Sequence, residues 1–435
     1  MMNNSTFVLR KAAEILESVS PALEDEVICA YVRLLLEQRQ LYLDFSARHG
    51  TPVYLFDEGV LLQRAEQFTT AFSQEIPGLR AFFAMKSNNH PAVAESLVKF
   101  GLGLDVSSGL ELETALDKGS QHILFSGPGK TEAELDLAVA HAEVVTVLID
   151  SFGELDRLER VSRVRNAVVR AGVRLTTEEK GLWRKFGVPL AELERFMTRA
   201  ESLDHVRLCG LQFHTSWNLT PSSQVSFLIR LGEQLAAMKR QRAQTIEFLD
   251  IGGGYWPPRG EWLHFSATPQ GRITQLVLPD IRQPQRYRYF AEPLEIFARE
   301  IGQSLRQHIF PHVDCEILSE PGRWLVNDSM HILLTVVDKK AEDLVIVDGG
   351  TNIVGWERFE TDYFPVINLS NPSLVERRCS IFGSLCTPHD VWGYGYFGDG
   401  IKPGDILMIP SQGAYTYSLR QPFIKPLAPV FPLES

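Results

Sequence analysis

The sequence is poor in the features that would take it out of ordinary globular chemistry. Its 435 residues include five cysteines, Cys29, Cys209, Cys315, Cys379 and Cys386, scattered along the chain with no CxxC spacing. That argues against a disulfide framework and a zinc site, and for a reducing compartment. No apolar run reaches the ~20 residues needed to span a bilayer. Residues 1–6 lack the charged and apolar regions of a signal peptide, so a cytoplasmic protein is expected. Basic charge is in deficit: 43 Lys and Arg face 54 Asp and Glu, a net charge of -11. Nucleic acid and anionic membrane surfaces are therefore poor partners. No GxxxxGK[ST] is present, so a nucleoside triphosphate is not indicated. The chain also lacks internal repeats and low-complexity tracts.

What is present is 44% hydrophobic and 22% charged residues, enough for a large core and two or three domains. Residues 8–49 show apolar positions at helical spacing, and Pro52 stops the pattern before a strand at 53–56. A rhythm then sets in. Short apolar runs at 80–84, 102–106, 122–125, 144–149, 166–171, 206–213, 246–251 and 315–319 alternate with amphipathic helices, as at 90–100, 110–118 and 222–242. Eight such units imply an α/β fold with a (β/α)8 barrel, with a doubly wound open sheet as the alternative. Residues 255–289 contain Pro257, Pro258 and Pro284 and little periodicity, and read as an inserted lid or interface arm. After Arg323 short β-rich runs at 331–337, 344–347, 378–382 and 406–409 are divided by turn residues, which reads as a second, all-β domain. The expected division is 52–322 for the barrel, with 1–51 as a helical extension and 323–435 as the β domain.

The strand ends carry the chemistry. In a barrel, functional groups sit at the C-terminal ends of the strands. There the sequence places Lys86, Asp105, Ser126, Asp150, Arg170, His214, Gly252-Gly253-Gly254 and Glu320. Lys86 closes the apolar run Arg80-Ala81-Phe82-Phe83-Ala84. Desolvation there lowers a lysine's pKa and makes its amine a Schiff-base nucleophile, although a lysine snorkelling to the surface fits the same five residues. Three consecutive glycines free backbone N–H groups to converge on an anion, or simply make a sharp turn. His214 fits a structural role as well as a functional one. Glu320, in Glu320-Pro321-Gly322-Arg323, needs a cationic partner or a proton. Cys386 lies in a polar, turn-rich segment, and Tyr415 follows Gly413-Ala414.

Ala84-Met85-Lys86-Ser87-Asn88, Leu104-Asp105-Val106-Ser107-Ser108, Phe213-His214, the glycine triplet, Glu320-Pro321-Gly322-Arg323, Ser384-Leu385-Cys386 and Gly413-Ala414-Tyr415 occur in one order. That ordered set resembles the pyridoxal-phosphate decarboxylases of ornithine, diaminopimelate and related amino acids, of the alanine-racemase-like fold type III. The resemblance covers roughly residues 50–425. It implies a pyridoxal 5'-phosphate cofactor and a homodimer with shared sites. Lys86 then resembles the Schiff-base lysine, His214 the residue stacked on the pyridine ring, and Glu320 the carboxylate on the pyridine nitrogen. Gly252, Gly253 and Gly254 resemble the phosphate cradle, helped by Tyr415, with Gly322 and Arg323 beside them. Asp105 and Arg170 fall where the family keeps polar residues near the cofactor. Cys386 resembles the residue lent to the partner's site to handle the proton after carbon dioxide leaves. Racemases of this fold place an arginine where Glu320 stands, so decarboxylation is favoured over a racemase, and a non-catalytic pyridoxal-phosphate carrier of this fold would lack the β domain and Cys386.

Two positions depart from that pattern. Members acting on basic substrates follow the cysteine with Asp or Glu to bind the distal ammonium; here Thr387 stands there. With His389 and Arg184 nearby in their segments, this implies a substrate whose far end is a carboxylate or an uncharged, bulky group. The second departure is Ser216-Trp217-Asn218, where small residues usually touch the phosphate.

Overall fold

A computed structural model describes residues 4–18, 20–278, 285–355 and 361–434. The chain divides into two compact units: Glu58–Pro258 with Ala291–Asn327, and residues 1–57, Arg259–Phe290 and Asp328–Ser435.

The first unit is a closed barrel of eight parallel strands: β1 (Arg80–Ala84), β2 (Gly103–Val106), β3 (Ile123–Phe125), β4 (Val145–Ile149), β5 (Val169–Leu175), β6 (Val206–Phe213), β7 (Phe248–Asp250) and β8 (Glu316–Ser319). Each strand pairs with its sequence neighbours, and β8 closes onto β1. The strands are almost wholly buried, which is why they read as apolar runs rather than alternations. Helices begin close after the strand ends because capping side chains stand there. Ser108 accepts from Glu111 N–H, Ser151 from Glu154 N–H, and Thr131 with Glu134 forms a reciprocal capping box.

Inside the barrel Phe82, Leu124, Leu148, Cys209, Phe248 and Leu318 form one cluster. Glycines make room for its rings. A Cβ on Gly210 would lie 1.9 Å from the Phe248 ring, and one on Gly103 would lie 2.4 Å from Phe82. Large and small residues thus alternate across facing strands, as a filled interior requires.

The strand placed at 166–171 by hydropathy is Val169–Leu175. Asn166 ends the preceding helix in the left-handed region, φ 51°, and the strand starts only after it. Gly172 and Arg174 had concealed its second half. The shift moves Arg170 to the opposite end of the barrel from Lys86.

In the second unit an eight-stranded sheet runs in the order Leu344–Val347, Glu376–Phe382, Val391–Phe397, Ile367–Asn368, Ile406–Ile409, Met330–Ala341, Val53–Phe56 and Val430–Pro432. Val53–Phe56, which a boundary at residue 52 assigns to the barrel, instead pairs antiparallel with Met330–Ala341. The boundaries read from sequence therefore move to 57/58 and 327/328, and the inserted segment joins this unit. Residues 255–289 are not structureless. Glu261–His264 and Arg286–Tyr289 pair antiparallel around the helix Pro269–Val277. Pro284 lies outside the described residues. Leu23 N–H donates to Arg286 O (2.8 Å) and Arg288 N–H to Pro21 O (3.0 Å), tying the insertion to the N-terminal segment of helices Asn4–Glu17, Asp25–Leu36 and Arg39–His49.

Gly210→Ala should destabilise the barrel by about 1–3 kcal/mol through overpacking against Phe248. Gly129→Ala, whose Cβ would meet nothing within 4 Å, should stay within about 0.5 kcal/mol of the parent. Comparing the thermal midpoints of the two variants checks this.

Candidate active site

Five side chains converge on the C-terminal rim of the barrel because each lies within two residues of a strand's C-terminal end. Lys86 sits in the single 3-10 turn Met85–Ser87 directly after β1, held by Ser87 Oγ donating to Ala84 O (2.7 Å). Asp105 lies on β2 opposite Ala84. Asp250 ends β7, and His214 and Glu320 follow β6 and β8 by one residue.

Lys86 Nζ donates to Asp105 Oδ2 at 3.1 Å and lies 3.9 Å from Glu320 Oε2. The lysine side chain is 34% exposed, while those of Asp105 and Glu320 are fully or almost fully buried. Ser126 Oγ, at the end of β3, donates to Asp105 Oδ1 (2.6 Å), and Gln212 Nε2 to Glu320 Oε1 (3.1 Å). His214 Nδ1 stands 3.3 Å from Glu320 Oε2 and 3.2 Å from Gly253 N. In any one tautomer that nitrogen either donates to Glu320 or accepts from Gly253, not both.

Charge at this rim is unbalanced. Asp105, Asp250 and Glu320 are buried carboxyl groups, and Lys86 is the cation paired with Asp105 and near Glu320. Burial and the Glu320 charge push Asp105 up to about 7, against the pull of Lys86. Burial also raises Asp250 well above the carboxylate range. Glu320 goes the other way. Burial opposes its ionisation, but the hydrogen bond from His214, the Lys86 charge and the Asp250 side chain beside it hold it well below the usual range. Burial keeps His214 neutral.

The glycine loop is shaped by its neighbours. Gly252 and Gly254 have φ of 66° and 87°. A Cβ on Gly253 would lie 2.0 Å from Glu320 O. Gly252 N–H donates to Asp250 Oδ1 (2.9 Å), and Gly253 N–H faces His214 Nδ1, which it bonds only in the tautomer that leaves Glu320 without that donor. Asn218 Nδ2 ties the far side to Gly253 O (2.9 Å). Trp217 has φ 53° and is 63% exposed, so its ring is turned to solvent. Arg323 stacks on Trp256 at 4.4 Å, and a Cβ on Gly322 would lie 3.0 Å from the Ser87 side chain.

Arg170 does not join the site. It lies at the start of β5, where its guanidinium meets Cys209 Sγ (3.3 Å), Glu247 (3.5 Å) and the Phe248 ring. The arginine at the proper end of that strand is Arg174, stacked on Phe186 at 4.4 Å and 3.9 Å from Asp150. Arg184 lies in the exposed turn Leu182–Lys185 of the loop that follows β5. Cys386, Thr387, His389 and Tyr415 belong to the β unit. There Cys386 and His389 are exposed on a loop closed by the buried Asp390, which accepts from Leu385 N–H (2.6 Å) and Thr351 N–H (2.7 Å). Tyr415 is half-buried with φ 55°. Asp250 and Gln212 were missed as site residues, and Ser126 was read as a strand end without a role. The signal for Asp250 was an acid inside the apolar run before the glycines; Gln212 and Ser126 carried none beyond position at a strand end.

Residues 62–327 match the model of the pyridoxal-binding domain of the pyridoxal-dependent decarboxylases. The chain belongs to this family. It is 26% identical over 400 residues to the L-glutamyl-[BtrI acyl-carrier protein] decarboxylase of Niallia circulans, covering 86% of each chain. It is 24% identical over 392 residues to the diaminopimelate decarboxylase of Aquifex aeolicus, covering 86% of this chain and 84% of that one. In fold it is similar to the diaminopimelate decarboxylase of Helicobacter pylori solved with L-lysine, with TM-score 0.72, 22% identity, and 90% and 94% of the two chains covered.

The rim of this decarboxylase fits pyridoxal phosphate. An excess of buried acid suits a protonated ring nitrogen, and Asp250 Oδ2 and Gln212 Oε1 have no hydrogen-bond partner among the described residues. The glycine loop is closed to any Cβ, as a close approach of backbone to a phosphate demands. When bound, the cofactor supplies the electron sink for the pair left on Cα as carbon dioxide departs.

Asp105 gives this decarboxylase a pH signature. The folded chain keeps the Asp105 proton to about pH 7, whereas the unfolded chain loses it near 3.8. Between those values the fold binds more protons, so this group's stabilising contribution falls as pH rises from about 4 through 7. Asp105→Asn removes that decline. In denaturant unfolding of the cofactor-free protein, the variant should gain on the parent between about pH 5 and about pH 8. A parent–variant difference that does not change with pH would count against the assignment.

Proposed function

We propose that this decarboxylase acts on an amino acid whose far end carries a carboxylate or forms an uncharged, bulky conjugate. The class takes in diaminopimelate-like acids and carboxylated intermediates of siderophore or other secondary metabolism. The observation that carries the reading is Thr387 after Cys386, where members of the family acting on simple diamine precursors keep an acid. A neutral hydroxyl lacks the charge-assisted hydrogen bond to an ammonium, a contribution of about 1.5–3 kcal/mol. The relatives support it: one is named for a glutamyl group on a carrier protein and another for diaminopimelate.

Each residue has a role in this reading. Lys86 holds the cofactor through its amine, and Asp105, with Ser126 behind it, orients that amine. His214 covers the ring face, and Glu320 keeps a proton on the ring nitrogen. The glycine loop with Arg323 and Tyr415 takes the phosphate. In a homodimer, Cys386 returns a proton to Cα in the neighbouring site, and Thr387, His389 and Arg184 meet the far end of the substrate. A cytoplasmic setting agrees with five cysteines that are all free.

The test is a carbon-dioxide release screen over ornithine, lysine, arginine, diaminopimelate and carboxylated diamino-acid conjugates. The carboxylated substrates should exceed ornithine and lysine in kcat/KM by at least roughly tenfold, and Thr387→Asp should narrow that gap. Lys86→Ala should release nothing from any of them. Efficient release from ornithine or lysine by the parent would overturn the substrate class while leaving the decarboxylase chemistry intact.

A further inference from the structure

Asp250 is completely buried, and the mechanism above gives it no task. Its Oδ1 accepts from Gly252 N–H at 2.9 Å. Its Oδ2 meets no donor among the described residues; Asp250 pairs with Gln212 in the β6–β7 register, and Gln212 donates to Glu320, which sets the two acids side by side. Two carboxylate oxygens facing each other in a dry site repel unless one carries a proton. Glu320 is the better-provided anion. Its Oε1 accepts from Gln212, and its Oε2 lies 3.3 Å from His214 and 3.9 Å from Lys86. Asp250 has one backbone N–H. The proton between them therefore belongs on Asp250 Oδ2.

We propose that Asp250 is a neutral carboxylic acid that donates its proton to Glu320, and that this donation, together with Gln212, fixes the Glu320 carboxylate in the orientation that serves the cofactor ring. Asp250 is thus a positioning residue that acts through Glu320. The same side chain links ring recognition to phosphate recognition, because its other oxygen holds Gly252 at the left-handed φ that starts the glycine loop. The remaining acid nearby is Asp105, whose charge also disfavours ionisation of Asp250. Lys86 and the neutral His214 face Glu320.

Asparagine is the isostere of a neutral acid here. Its Oδ1 accepts from Gly252 and its amide donates to Glu320, whereas alanine does neither. The first readout is the infrared difference spectrum of the cofactor-free protein, parent minus Asp250→Asn, at neutral pH. It should contain the carbonyl band of one protonated carboxyl group, and only carboxylate bands there would overturn the proposal. The second readout is the Kd for pyridoxal phosphate by fluorescence titration. Asp250→Asn should stay within about threefold of the parent, while Asp250→Ala should weaken binding by roughly tenfold or more. An asparagine variant as weak as the alanine variant would mean that Asp250 acts as an anion and would also overturn the proposal. Neither readout depends on the substrate class.

Discussion

The rim of the barrel is built around a surplus of buried negative charge. Asp105, Asp250 and Glu320 share a space in which Lys86 is the cation beside them. Two uncompensated carboxylates in a dry site would cost several kcal/mol each. The fold meets that cost by leaving protons on Asp105 and Asp250 and by ionising Glu320, which has the most donors. Such an arrangement is poor for stability on its own. A cofactor that brings a positive ring nitrogen and binds only the folded chain offsets it by mass action.

Parallel strands explain why these groups meet at all. Side chains separated by up to 234 residues share one rim because all eight strands run toward the same end. The barrel interior holds that rim still. Phe248, two residues before Asp250 on β7, packs where Gly172 and Gly210 have no Cβ. Below Asp105, the buried Lys130 donates to Gly127 O and Leu148 O (both 2.8 Å) and to Glu154 (2.7 Å), pinning the backbone beside Ser126 to the neighbouring strand. Deleting one member of such a pair would leave a buried charge without its partner.

Much of this was legible in the sequence, and the failures have physical reasons. Eight apolar runs separated by amphipathic helices gave the barrel, because strands buried on both faces carry no alternation to misread. Lys86, Asp105, His214, the glycines and Glu320 could be seen as polar groups closing apolar runs. Arg170 was misplaced because β5 contains two arginines four residues apart, and hydropathy ends a strand at the first. Only the register against β6, which sets Arg170 opposite Arg207 and Arg174 opposite Gln212, tells the two ends apart. The insertion looked structureless because a two-stranded ribbon with one short helix leaves little periodicity. Asp250 was hidden inside its own strand, since nothing in a linear sequence says that an acid at the end of an apolar run lies beside another acid at the end of the neighbouring strand.

The sign of the charge beside the ring nitrogen decides how far the electron pair on Cα can be withdrawn. A cation there leaves the nitrogen unprotonated and weakens the sink. A carboxylate keeps the proton on it. That effect requires Glu320 to be ionised at every pH the protein meets, in a site whose burial favours its neutral form. The donors on both Glu320 oxygens do this work: Gln212 on one, His214 and Lys86 near the other, and Asp250 beside them. Had the neighbouring acid been an anion, its repulsion would have raised Glu320 instead of lowering it. On the proposed reading, in which Glu320 meets the ring, its ionisation depends on neutrality of Asp250 behind it, and the two protonation states are set by which carboxyl the barrel supplies with donors.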